Sequence, residues 1–243
     1  MKKLYYFIFI ITILALLLSC IYTPLECETI KGKHCSVIIT EPDIPYENYR
    51  TICSKADTAY EEVITLTGLD YNQHISIACD KNINEHVPFI SYDYYNTIFL
   101  SENHFKYYSA DDVPVSSALC REITHLLLTA YYGSTDSFFF GEGIAIYIAN
   151  KKTKPYEYYD IKKELIEKAI RLSYYDVLLE NNYEGYYYYQ ILSADFTAFW
   201  CQKFGMQSFY SLYAEVSSNN YKEIIKQISG LSYDDIIRLY KCY

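Results

Sequence analysis

The stretch "LCREITHLLL", Leu119 to Leu128, decides how the rest of the chain is read. Asp111 or Asp112 can cap a helix running through it, Pro114 is tolerated in the first turn, and Gly133 can close it. Side chains four residues apart on a helix share one face, so positions 121 and 125 can reach a single ion between them. Position 125 is a histidine, a frequent metal ligand, and Glu122 is a carboxylate of the kind that takes a proton from metal-bound water. Position 121 is an arginine, which stays cationic and has no lone pair to donate. The spacing suits a zinc helix; the residue at its first position repels zinc.

Upstream, the chain begins with Lys2 and Lys3, an apolar run from Leu4 to Leu18, and then Ser19 and Cys20. Basic residues followed by a short apolar run are the order of a secretory signal peptide, and the run falls short of the roughly 20 residues that cross a bilayer. The segment "LLLSC" resembles a bacterial lipobox. The resemblance implies a signal peptide over 1–19, a lipid on Cys20, and a membrane-anchored lipoprotein of the cell envelope, periplasmic or surface-exposed. A plain signal anchor with an incidental cysteine is the alternative.

Removing residues 1–19 takes away two lysines and no acid, leaving 30 acidic side chains against 19 basic ones, a formal charge of −11. Such an acidic chain, with no basic run, excludes nucleic acid as a partner. The remaining 224 residues suffice for one substantial core. Of the eight cysteines, seven remain once Cys20 is lipidated, an odd number. Export permits disulfides, and Cys27 and Cys35 are near enough in sequence to form a small staple. Cys79, Cys120 and Cys201 sit in apolar segments and read as small buried residues. No C-x-x-C pair exists, so a thiolate zinc site or redox motif has no support. Tyrosine is abundant, with a run from Tyr186 to Tyr189, but isoleucine, asparagine and lysine are abundant too; compositional bias accounts for it better than stacking platforms do.

Residues 20–43 read as a leader that includes a strand at "CSVIIT", and residues 44–243 as one domain. Tyr49, Ile52, Cys53, Ala56, Tyr60, Val63 and Ile64 recur at helical steps up to Gly68. "HISIAC", His74 to Cys79, alternates as a strand, and Phe89 to Ser101 reads as a hairpin turning at Tyr95-Asn96. From Asp112 onward nearly every segment is helical in pattern: "GEGIAIYIAN", "YDIKKELIEKAIRL" with a short "YYDVLL" turn after it, "QILSADFTAFWCQKFG", "MQSFYSLYAEV", "YKEIIKQISG" and "SYDDIIRLYKCY". The last opens with Ser232 and Asp235, spaced as a capping box. In 158–171, the charged residues from Lys162 to Arg171 read as a solvated face opposite Ile161, Leu165, Ile166 and Ile170. No fixed-period repeat appears. The expectation is an α+β fold, a small N-terminal sheet with a packed helix followed by a mostly helical half.

"REITH" at 121–125 and "GEGIAIY" at 141–147 stand in the order, and on the helices, of H-E-x-x-H and E-G-x-A-x-Y. The hairpin "ISYDYYNTIFLS" lies before them; "YYYYQILSADFTAFWCQKFGMQSFYSLY" and "ISGLSYDDI" lie after. This arrangement, over residues 57–240, resembles the gluzincin clan of zinc metallopeptidases, and most closely the bacterial peptidase MA-like domain. The resemblance implies a zincin-like fold, with His125 and Glu142 at metal-ligand positions and Glu122 at the general-base position. It also implies an oxyanion tyrosine within 186–189. Arg121 replaces the first ligand. The expectation is therefore an inactive, binding form of the domain, with no cofactor and with a peptide or protein ligand in its cleft. Arg121 would occupy the vacated metal position, bonded to Glu142 and Glu122. The alternative is an active zinc peptidase with an atypical ligand set, completed by Cys120 or His104.

Overall fold

Alternating and β-branched segments assemble into one mixed sheet of five strands in the order β1-β2-β3-β5-β4. They are β1 Thr29–Lys31, β2 Cys35–Ile38, β3 Ile75–Asp80, β4 Ser91–Tyr94 and β5 Thr97–Ser101. The structure is a computed structural model that describes residues 28–82, 91–94, 96–106, 112–150, 159–171 and 183–243. The expected signal peptide, Cys20, Cys27, Asp111 and the "YYDVLL" turn lie outside the described residues. The outer pairs β1–β2 and β4–β5 are antiparallel, and the inner pairs β2–β3 and β3–β5 are parallel. The register sets Cys35 beside Ile75, Val37 and Ile98 on either side of Ile77, and Leu100 beside Cys79. Side chains alternate across a strand, so these residues share one face, and that face is buried.

The helix α1, Tyr46–Thr67, covers this face with Ile52, Cys53, Ala56 and Val63. It starts one residue after Pro45 and stops at Gly68, whose φ of 69° lets its N–H reach the Ile64 carbonyl at 2.8 Å. Asp57 of α1 pins the β1–β2 turn: its carboxylate accepts the backbone N–H groups of Lys33 at 2.7 Å, His34 at 2.8 Å and Cys35 at 2.9 Å. Gly32 leaves room for this arrangement: a Cβ there would stand 2.4 Å from the Asp57 carboxylate and push it out of place. The sheet thus begins inside the stretch expected to be a leader, ahead of the boundary at 44. The β4–β5 turn places Asn96 at a φ of 61°, a left-handed conformation that asparagine tolerates.

After β5 come α2 Glu102–Lys106, α3 Asp112–Tyr132, α4 Phe138–Asn150 and α5 Tyr159–Arg171. α6 Tyr183–Phe204, α7 Met206–Glu215, α8 Tyr221–Ser229 and α9 Tyr233–Lys241 complete the chain. The architecture is α+β, a mixed sheet with its helix followed by a mostly helical half. α3 lies between α1 and α4, and α4 lies against α6. That last contact is close: a Cβ on Gly143 would come within 2.6 Å of both the Ser193 carbonyl and the Thr197 hydroxyl. Ser232 caps α9 by accepting the Asp235 N–H at 3.2 Å, as its spacing predicts.

One face is corrected. Lys162 does not belong to the solvated side of α5; it is buried with Ile166 and Ala169, four and seven residues on. Its Nζ lies 2.8 Å from Asp195 of α6 and 3.9 Å from the centre of the Tyr240 ring. A charge pattern alone places a lysine outside; a matching carboxylate from a distant segment brings it in.

Candidate functional site

The helix α3 presents Arg121, Glu122 and His125 toward α4, and α4 brings Glu142 to meet them. The crossing is possible because Gly133 ends α3 at a φ of 80°, and α4 starts five residues later. Arg121 grips Glu142 with two nitrogens: Nε is 3.0 Å from Oε2, and one terminal nitrogen is 2.9 Å from each oxygen. The other terminal nitrogen donates to Glu122 Oε1 at 2.8 Å. His125 Nε2 lies 3.1 Å from Glu142 Oε1, in ion-pairing range without the alignment of a full hydrogen bond. Gln190 of α6 adds a long contact, its Nε2 3.4 Å from Glu142 Oε2.

Both carboxylates are buried, while the Arg121 side chain keeps 24% of its surface and His125 keeps 18%. Burial alone would lower the His125 pKa, but the adjacent Glu142 carboxylate outweighs it and the net shift is upward. Burial works against the Glu142 anion as well; His125 and Arg121 overcome it and hold its pKa down to about 2. Arg121, Glu122, His125 and Glu142 all line an open cleft of about 320 Å³. Thr129, Ser134, Thr135, Phe138, Gly141 and Tyr213 form the rest of its lining.

Arg121, Glu122, His125 and Glu142 therefore converge, and the other candidates that the sequence suggests go elsewhere. Cys120 turns toward α1, with its thiol 3.7 Å from Glu62. His104 is buried in α2 and shares a 2.8 Å hydrogen bond with Ser101 through Nδ1. Neither completes a ligand set. Tyr189 points its hydroxyl at the Ala169 carbonyl, 3.3 Å away, and packs its ring against Phe138 and Phe139 in the core. The side chains of Tyr186 and Tyr187 lie outside the described residues. Among the lining residues that sequence reasoning misses, Thr129 is within its reach, one more four-residue step beyond 121 and 125 on α3. Ser134 and Thr135 follow from the turn at Gly133. Tyr213 carries no local signal, and neither does Gln190, which meets Glu142 from α6 outside the lining.

The set does not fit a zinc ion. Glu142 has both oxygens engaged by a guanidinium, and the place where a first imidazole would stand is occupied by a fixed cation. Among the described residues, no group of three or more His, Cys, Asp or Glu is arranged to hold a metal. No family model matches the chain, and no curated protein matches it either.

Proposed function

We propose that this chain is an envelope-anchored bacterial lipoprotein whose peptidase MA-like scaffold acts by binding rather than by hydrolysis. One observation carries the reading: the guanidinium of Arg121 is clamped between Glu142 and Glu122 beside His125. A side-chain cation then does the electrostatic work of an ion, neutralising two buried carboxylates. It has no open coordination position through which to bind a water and turn it into a nucleophile, as a metal ion does. Glu122, the expected base, accepts a hydrogen bond from Arg121.

The cleft that remains suits an extended peptide or a protein segment. The hydroxyls of Thr129, Ser134 and Thr135 can bond a peptide backbone, and the rings of Phe138 and Tyr213 offer apolar contact. The anchor rests on Lys2, Lys3, the apolar run and Cys20.

Metal analysis of the purified wild type beside Arg121→His tests the proposal. The wild type is expected to carry no zinc and to show no chelator-sensitive peptide hydrolysis, and Arg121→His to take up about one zinc per chain. Stoichiometric zinc in the wild type with chelator-sensitive cleavage would overturn the binding role. An Arg121→His protein that folds and takes up none would remove the ancestry.

A further inference from the structure

Two cysteines eighteen residues apart in sequence meet behind the β1–β2 turn. Cys35 opens β2 on the buried face of the sheet, and Cys53 lies on the buried face of α1. α1 is the helix that packs on β2, so both side chains are buried within that one contact. Cys53 Sγ stands 3.8 Å from the Cys35 carbonyl and 3.6 Å from the Ile30 carbonyl. One turn further along α1, Asp57 holds the Cys35 backbone N–H at 2.9 Å, fixing this end of β2 to the same stretch of helix. Both thiols are sealed from solvent, and they stand unbridged in the structure. Burial pushes the Cys35 thiol up to about 12, with Asp57 and Cys53 adding to the shift, and burial raises Cys53 as well.

We propose that Cys35 and Cys53 form the disulfide of this domain, tying β2 to α1. Bridge formation needs an oxidant of the disulfide class. The thiolate of one cysteine attacks that disulfide, forming a mixed disulfide and releasing one thiol. The second cysteine loses its proton to solvent and attacks the protein-side sulfur, releasing the other thiol. Two electrons pass from the protein to the oxidant, which leaves as two thiols. Because only the thiolate attacks, burial slows the exchange in the folded domain. The bridge therefore closes as the strand docks, and afterwards resists reductants until the chain opens. The assignment replaces the Cys27–Cys35 staple expected from spacing, since Cys35 faces α1 and can make one bridge only.

The test is to reduce and unfold the full chain in detergent and refold it in a mixture of oxidised and reduced glutathione. Free thiols are then alkylated under denaturing conditions before digestion with trypsin. Cleavage after Lys33, Arg50 and Lys55 isolates Cys35 in the peptide 34–50 and Cys53 in the peptide 51–55, one cysteine in each. The expected product is these two peptides joined, two hydrogens lighter than their sum, and separating on reduction. Melting of the refolded domain should fall by about 6–12 °C when the bridge is reduced, the range for closing a short loop in a domain of this size. Recovery of both cysteines alkylated, or of Cys35 joined to Cys27 or any other cysteine, overturns the assignment. A Cys53→Ala variant that keeps the same reduction-sensitive shift overturns it too.

Discussion

Two clusters of buried charge draw on the same helix, α6, and they differ in what surrounds them. At Gln190 the helix touches the cleft cluster of Arg121, Glu122, His125 and Glu142. At Asp195 it holds Lys162, with the Tyr240 hydroxyl 3.1 Å from the same carboxylate oxygen. The second pair is sealed, its side chains 7% and 1% exposed, and aromatic rings close over it. The first opens onto a cleft through the partly exposed Arg121 and His125. Buried charge by itself therefore does not mark a functional site. A sealed pair fixes how helices meet, whereas a polar cluster lining a cleft can meet something arriving from outside.

The sealed pair should give the largest effect when broken. Lys162→Met strands Asp195 without a cation and is expected to cost about 3–5 kcal/mol in chemical denaturation. Replacing both, Lys162→Met with Asp195→Leu, should recover most of that loss, since no charge is then left buried. A single variant as stable as the wild type would mean that water reaches the pair and that the contrast with the cleft is empty.

Next in size is Arg121→Ala. It leaves Glu122 and Glu142 without their shared cation, but His125 still faces Glu142 and the cleft admits water. The expected cost is about 3 kcal/mol, at the lower end of the range for a buried pair. A melt unchanged by this substitution would detach Arg121 from both carboxylates.

The acid limb comes third. The folded-state pKa of Glu142 is depressed, so its contribution is present above its unfolded value near 4.5 and is lost as pH falls toward about 2. The loss over that window should be about 2–3 kcal/mol in denaturation measured at successive pH values. The smallest effect has the opposite sign. The folded-state pKa of His125 is raised, so its contribution is full below about 6.5 and disappears as pH climbs through the raised value. The slope on that alkaline side should flatten in His125→Gln.

Much of this arrangement is legible locally. The helical steps from Tyr49 to Val63, the stop at Gly68 and the cap at Ser232 depend on neighbours in sequence, and the structure keeps them. The three polar residues of α3 share a face by periodicity alone, and Glu142 follows from a second motif on the next helix. The pairing of Cys35 with a strand forty residues away, and its approach to Cys53, depend on a sheet register that no local pattern specifies. Lys162 reads as exposed for the same reason: its partner comes from another helix, 33 residues further on.

The sequence by itself determined where the long helices and most strands run, though not β1 or the short helix α2, and which charged groups line α3, because backbone propensity and periodicity are short-range properties. Only the tertiary structure decided which carboxylate each cation answers to, which cluster faces a cleft and which is sealed. The physical reason is desolvation. The cost of burying a charge is set by everything that packs around it, and those neighbours are assembled from segments far apart in the chain.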